Sequence, residues 1–189
     1  MLQISMAEQT PFIEDDAKEK ASMLIEHRLP WLIVGLVGGI LATVVSAQFE
    51  DLLAKNIQLA FFIPVIVYMA DAVGTQTQTV YIRNLGKHRE LFHKYIFKEM
   101  LLGIVIGSLF GCIMALVSYI WFGSLESSMT VGLSMLITIA TAPIIALIVP
   151  TIIRREHKDP AVGSGPFTTV IQDLISLLVY FSIASVIIL

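Results

Sequence analysis

Residues 59–82 read LAFFIPVIVYMADAVGTQTQTVYI. The first half, Leu59 to Met69, is an unbroken apolar run. Asp71 and a file of hydroxyls and amides (Thr75, Gln76, Thr77, Gln78, Thr79) follow, and the segment closes apolar on Val80, Tyr81 and Ile82. Apolar residues run continuously and do not alternate with polar ones, which excludes a barrel strand. As a helix the stretch is long enough to cross about 30 Å of hydrocarbon. Polar groups are costly there, so the Asp71–Thr79 part must face protein or water. Helical spacing allows it, because Tyr68, Asp71, Thr75 and Gln78 recur at intervals of three and four on one face. Gly74 lies beside that face and is expected to leave a backbone carbonyl accessible.

Four more segments share this character: Pro30 to Phe49, Ile96 to Phe122, Met129 to Ile153 and Phe167 to Leu189. The reading is an all-α membrane protein with five transmembrane helices. Bulk composition agrees: the chain is 56% hydrophobic and 14% charged over 189 residues, with a mean hydropathy of +0.82, against about 25% charged in a soluble domain. A lipid bilayer is therefore the expected surrounding. A net charge of −3 supplies no basic surface for nucleic acid. Cys112 stands alone in an apolar run, where it reads as a packing residue.

Basic residues set the expected orientation. Lys18, Lys20 and Arg28 precede the first span, Arg83, Lys87, Arg89, Lys94 and Lys98 lie between the second and third, and Arg154, Arg155 and Lys158 between the fourth and fifth. Only Lys55 falls on the other side. This asymmetry predicts an integral protein of the plasma (inner) membrane, with the N-terminus cytoplasmic and the C-terminus outside. Residues 1–27 read as a cytoplasmic N-terminal segment without a cleavable leader, and residues 28–189 as one five-span domain. Pro11 with Glu14, Asp15 and Asp16 looks like a helix start.

Gly103, Gly107 and Gly111 recur every four residues, as do Gly35 and Gly39, which Ala42 and Ser46 follow. Small residues at this spacing let helices approach closely in lipid. Pro64 and Pro143 are expected to kink or loosen their helices. The last span has its own polar stripe, Thr169, Asp173, Ser176 and Tyr180. Asp71 and Asp173 read as the two carboxylates within apolar runs, with no Lys, Arg or His in a span to neutralise them. A carboxylate at mid-membrane costs about 2.5–3.5 kcal/mol or more. Both point to an oxygen-lined route for a hard cation such as Mg²⁺.

At these stretches the chain resembles the MgtE family of magnesium channels. The matching residues are 64–83, with Pro64, Gly74, Gln76 and Arg83; residues 159–173, with Asp159, Pro160, Ser164, Gly165, Pro166, Phe167, Thr168, Thr169 and Asp173; and Arg28, Pro30 and Trp31. The resemblance covers residues 28–189, the transmembrane part, and the family's cytoplasmic N-terminal and CBS domains are expected to be absent. It implies a homodimer of five-helix subunits, with spans 2 and 5 lining one pore on the twofold axis. Asp173 falls on the family's pore aspartate. Asp71 replaces a glycine usual there, and Thr75 an asparagine.

The implied function is potential-driven passage of a divalent cation, most simply Mg²⁺, with other divalent ions possible. Asp173 and Asp71 would supply negative potential, and Thr169, Thr75, Thr79 and the carbonyls near Gly74 would contact the ion's water shell. A proton- or sodium-coupled divalent cation exchanger is the alternative. A membrane enzyme would need a base or nucleophile pair in the spans, and no His or Lys accompanies the serines there. A small structural subunit would tolerate Asp173→Leu.

Overall fold

A computed structural model describes residues 20–84, 92–156 and 160–188. Its helices are α1 (Ala21–Ala47), α2 (Glu50–Lys55), α3 (Ile63–Asn84), α4 (Phe92–Phe122), α5 (Leu125–Arg155) and α6 (Pro160–Ile188), with a 3₁₀ helix over Ile57–Phe62 leading into α3. All but the short α2 are long and apolar enough to cross a membrane, so the fold is the expected five-span helical one. The expected helix start at Pro11, the acidic group Glu14, Asp15 and Asp16, and the loop residues Lys87, Arg89, Lys158 and Asp159 lie outside the described residues.

Several boundaries differ from the apolar runs, for local reasons. The first span was expected to open at Pro30, but α1 already runs from Ala21 and Pro30 sits inside it. One proline removes one backbone bond without ending a helix that packing supports. Likewise α6 begins at Pro160, seven residues before Phe167, because proline suits the first helical turn. The expected kink at Pro64 takes the form of a change of helix type. The chain is 3₁₀ up to Phe62 and α-helical from Ile63 onward. Between α4 and α5 the chain turns on Gly123, whose φ of 66° lies where a side chain would be strained. Ser124 then caps α5, its hydroxyl accepting from the Ser127 N–H at 3.2 Å.

Helix α5 is the hub, packing against α3, α4 and α6. The glycine file of α4 lies on its backbone, which makes this motif a contact within the chain. A Cβ on Gly103 would come 3.0 Å from the Ile139 carbonyl oxygen. On Gly107 it would meet the Leu136 carbonyl at 2.7 Å, and on Gly111 the Gly132 carbonyl at 2.7 Å. In α1 the close approach falls elsewhere than expected. Gly39 faces open space, while a Cβ on Gly38 would overlap Val170 of α6. Gly163 of α6 in turn receives the Trp31 ring, 2.7 Å from where its Cβ would be.

One end of the bundle holds a buried apolar core of Leu52, Leu59, Phe62, Ile66, Val131, Met135, Ile139, Leu177 and Phe181. There Phe49 stacks on Phe181 with ring centres 4.4 Å apart. The outer faces of α1 (Leu32, Leu36, Ile40) and α4 (Leu101, Val105, Leu109, Leu116) stay exposed and apolar, as a bilayer requires.

A candidate cation-binding cleft

Helices α1 and α3 both lean on α6 and leave a cleft of about 540 Å³ between them. Its walls are Ala42, Thr43 and Ser46 of α1, Ile63, Pro64, Val67, Tyr68 and Asp71 of α3, and Thr169, Asp173 and Leu177 of α6. Asp71 and Asp173, on different helices and far apart in sequence, thus share one space. Thr169 ties the two walls together by donating its hydroxyl to Asp71 Oδ1 at 3.0 Å. The α1 hydroxyls are anchored to their own helix: Thr43 donates to the Gly39 carbonyl at 2.9 Å and Ser46 to the Ala42 carbonyl at 3.0 Å. Both oxygens keep lone pairs for a further donor. Ser46, read as a packing residue, is therefore a cleft residue.

The other residues singled out in the sequence separate into two groups. Thr75 and Thr79 are exposed and continue the open face of α3 beyond the cleft, beside Tyr68, which is 68% exposed. The Thr79 hydroxyl donates to the Thr75 carbonyl at 2.8 Å. Gly74 and Gln78 are turned inward and buried. Gly74 is not a bare edge of the cleft, because the space its side chain would occupy is filled by the Gln172 amide. Ser176 and Tyr180, expected on the stripe with Asp173, are buried as well. Tyr180 donates to the Leu59 carbonyl at 2.6 Å, latching α6 to the 3₁₀ helix. The four positions keep to one narrow arc of α6, but what faces that arc changes along the helix: the cleft at Thr169 and Asp173, the 3₁₀ helix at Tyr180.

Two residues escaped the sequence reading. Gln172, next to Asp173, is 1% exposed and donates Nε2 to the Ala142 carbonyl at 3.1 Å. A lone amide in an apolar run was its signal. Glu99 is a third carboxylate inside a span, together with Lys98; both already fall within the expected run Ile96–Phe122, so Asp71 and Asp173 are not the only in-span carboxylates, nor are the spans without a Lys. Glu99 Oε2 accepts from the Thr77 hydroxyl at 2.9 Å on the side of α3 away from the cleft. Among the described residues only Asp71 and Asp173 bring carboxylates to the cleft, and no three His, Cys, Asp or Glu side chains come together. The described residues therefore offer carboxylate and hydroxyl oxygens around an open space and no closed metal cage. Such a surface fits a hard cation that keeps its water.

A family model described as a divalent cation transporter, MgtE, matches residues 63–183. The chain belongs to the MgtE family. The matched stretch begins with α3 and ends within α6, so it contains both carboxylate-bearing walls of the cleft. Three curated proteins are similar, each named magnesium transporter MgtE. The one from Bacillus subtilis (strain 168) is 36% identical over 169 residues, 88% of this chain and 38% of the relative. The one from Enterococcus faecalis is 34% identical over 174 residues, 90% of this chain and 38% of the relative. The one from Thermus thermophilus is 29% identical over 161 residues, 83% of this chain and 35% of the relative. The chain thus spans little more than a third of the length of these MgtE relatives.

Proposed function

We propose that this chain carries a divalent cation, Mg²⁺, across the plasma (inner) membrane, through a path completed when two copies set their clefts together on a twofold axis. The observation that carries this reading is the pairing of Asp71 and Asp173, from separate spans, in one hydroxyl-lined cleft. Membership in a family described as divalent cation transporters supports it, and the name of the relatives points to Mg²⁺. The distribution of Lys and Arg supports a cytoplasmic N-terminus and an outside C-terminus.

In this mechanism the ion stays hydrated, because Mg²⁺ gives up water reluctantly. Asp173 and Asp71 lower the potential in the path, and the hydroxyls of Thr169, Thr75 and Thr79 contact the water shell. Gly74 acts one layer behind, as the seat of Gln172. An inside-negative potential of 100 mV contributes about 2.3 kcal/mol per charge, hence about 4.6 kcal/mol for a 2+ ion. Transport of other divalent ions follows the same electrostatics. Mg²⁺ influx into proteoliposomes tests this reading. Asp173→Ala is expected to abolish influx while the dimer survives on size exclusion, and wild-type influx from that variant would refute it.

A second reading rests on the carboxylate pair itself. Two acids sharing one cleft can exchange protons for metal, which makes a coupled exchanger. Flux that collapses when a pH gradient is removed at clamped voltage favours exchange over a channel.

A further inference from the structure

Helix α6 carries a second polar file, turned away from the cleft. Ser164, Thr168 and Gln172 recur every four residues and are 0%, 2% and 1% exposed. Ser164 Oγ, Thr168 Oγ1 and Gln172 Oε1 have no hydrogen-bond partner among the described residues. A hydroxyl in an apolar helix ordinarily returns to the carbonyl four residues back, as Thr141, Thr151 and Ser185 do here. Ser164 and Thr168 do not. Three buried polar atoms in line, all unpaired, require a partner the side chains do not supply.

The facing helix offers matching chemistry. Helices α5 and α6 are consecutive spans and pack antiparallel, with Phe167 and Ile171 set along Ile145, Val149 and Ile153. The Gln172 bond to the Ala142 carbonyl fixes the register. Counting one antiparallel turn from that bond brings Thr168 to the level of Ala146, and a second turn brings Ser164 to that of Pro150. Proline has no N–H, so the Ala146 carbonyl lacks the donor that residue 150 would otherwise give it.

We propose that a water molecule is bound between α5 and α6, donating to Gln172 Oε1 and to the Ala146 carbonyl and accepting from the Thr168 hydroxyl. Two acceptors and one donor are what a single water completes. The Ser164 hydroxyl extends the site by one turn. The same oxygens could ligate a small monovalent cation, but none of them is charged, and an uncompensated charge between packed helices is costly. Water is therefore the occupant. It has a consequence for the cleft. Gln172 precedes Asp173 and its amide sits on Gly74, so the water holds the back of α6 and thereby the facing of Asp173 and Thr169. Thr168 and Gln172 are positioning residues in this sense. The consequence for flux rests on the transport proposed above, whereas the water site does not.

The test begins with the full chain in lipid nanodiscs, in a choline buffer made with ¹⁸O water, labelled by X-ray-generated hydroxyl radicals. Peptides covering 142–150 and 164–172 are expected to take up label several-fold faster than the equally buried segment around Ile139. Labelling no faster than at Ile139 overturns the site, and suppression by Na⁺ at equal ionic strength overturns water in favour of a cation. Thr168→Val is expected to lower the midpoint of thermal unfolding and Thr168→Ser to restore it. A rise in the midpoint with Thr168→Val would mean a dry, unpaired hydroxyl and also overturns the proposal. Mg²⁺ influx should fall with Thr168→Val and return with Thr168→Ser. Absent influx in the wild type would count against transport and leave the labelling and unfolding results to decide the water.

Discussion

Gly74→Ala tests the joint between α3 and α6 that sets the back of the cleft. An alanine Cβ would overlap the Gln172 amide, so one of two things must yield. If the helices stay put, Gln172 swings away and loses its bond to the Ala142 carbonyl. Interhelical bonds in membrane proteins are worth about 0.6–1.7 kcal/mol. If Gln172 stays put, α3 and α6 move apart, and overpacking of this kind costs about 1–3 kcal/mol. Alanine's better helix propensity offsets up to about 1 kcal/mol. The net expectation is a loss of about 1–2 kcal/mol, or about 2–8 °C in unfolding midpoint at 2–4 °C per kcal/mol. Mg²⁺ influx should fall with it, because Asp173 is the next residue on the displaced helix. Gly39→Ala is the control, since nothing lies within 4 Å of its Cβ: helix propensity alone should hold or slightly raise the midpoint, and influx should not change. Thermal unfolding in nanodiscs and proteoliposome influx measure both. Removing the obstacle should relieve the defect, so Gly74→Ala is expected to cost little in a Gln172→Ala background. Equal losses in both backgrounds, or none in either, would refute the packing argument.

Two further outcomes follow from the same geometry. Asp71→Asn keeps an acceptor for the Thr169 hydroxyl and removes one charge, so influx should drop several-fold with the unfolding midpoint unchanged; wild-type influx would remove Asp71 from the ion path. Gly107→Ala places a Cβ 2.7 Å from the Leu136 carbonyl, and backbone cannot swing aside as an amide can. Its loss should reach the upper part of the about 1–3 kcal/mol range, exceeding that of Gly103→Ala, where the approach is 3.0 Å.

The five spans were legible because each is a long apolar run, and lipid leaves the chain few other ways to satisfy its backbone. Their ends were not, since Pro30 and Pro160 look like breaks in a sequence yet are tolerated within or at the start of helices that pack. The cleft was half legible. Periodicity placed Tyr68, Asp71 and Thr75 on one face of α3, and Thr169 with Asp173 on one face of α6. It could not tell the cleft side of each helix from its buried side, because polar residues occupy both. Gln78, Ser176 and Tyr180 were assigned to the wet face and are buried. Glu99 was legible as a carboxylate within the run Ile96–Phe122 and was passed over, whereas Gln172 went unnoticed for the related reason that its partner, Ala142, lies on another helix. Interhelical pairing of that kind has no signature in local spacing.

A single subunit leaves the polar face of α3 uncovered. Tyr68, Thr75, Gln76 and Thr79 are exposed, and the cleft with both aspartates opens beside them. Hydrocarbon against this face would strand several hydroxyls, an amide and two carboxylates, each costly to bury without a partner. Protein or water must cover it, and in the dimer proposed above a second copy related by a twofold axis would provide both, with the two α3 faces approaching across the ion path. That geometry makes Thr75 a sensitive reporter. In a Cys112→Ser background, Thr75→Cys is expected to form an intersubunit disulfide under mild oxidation in native membranes. Gly103→Cys, whose side chain would point into α5 of its own subunit, should not. Divalent cation occupying the path should slow the Thr75→Cys crosslink, and Asp173→Asn should abolish that protection. Failure of Thr75→Cys to crosslink, with crosslinking instead from the apolar outer face of α1, would place the interface elsewhere and separate the two clefts.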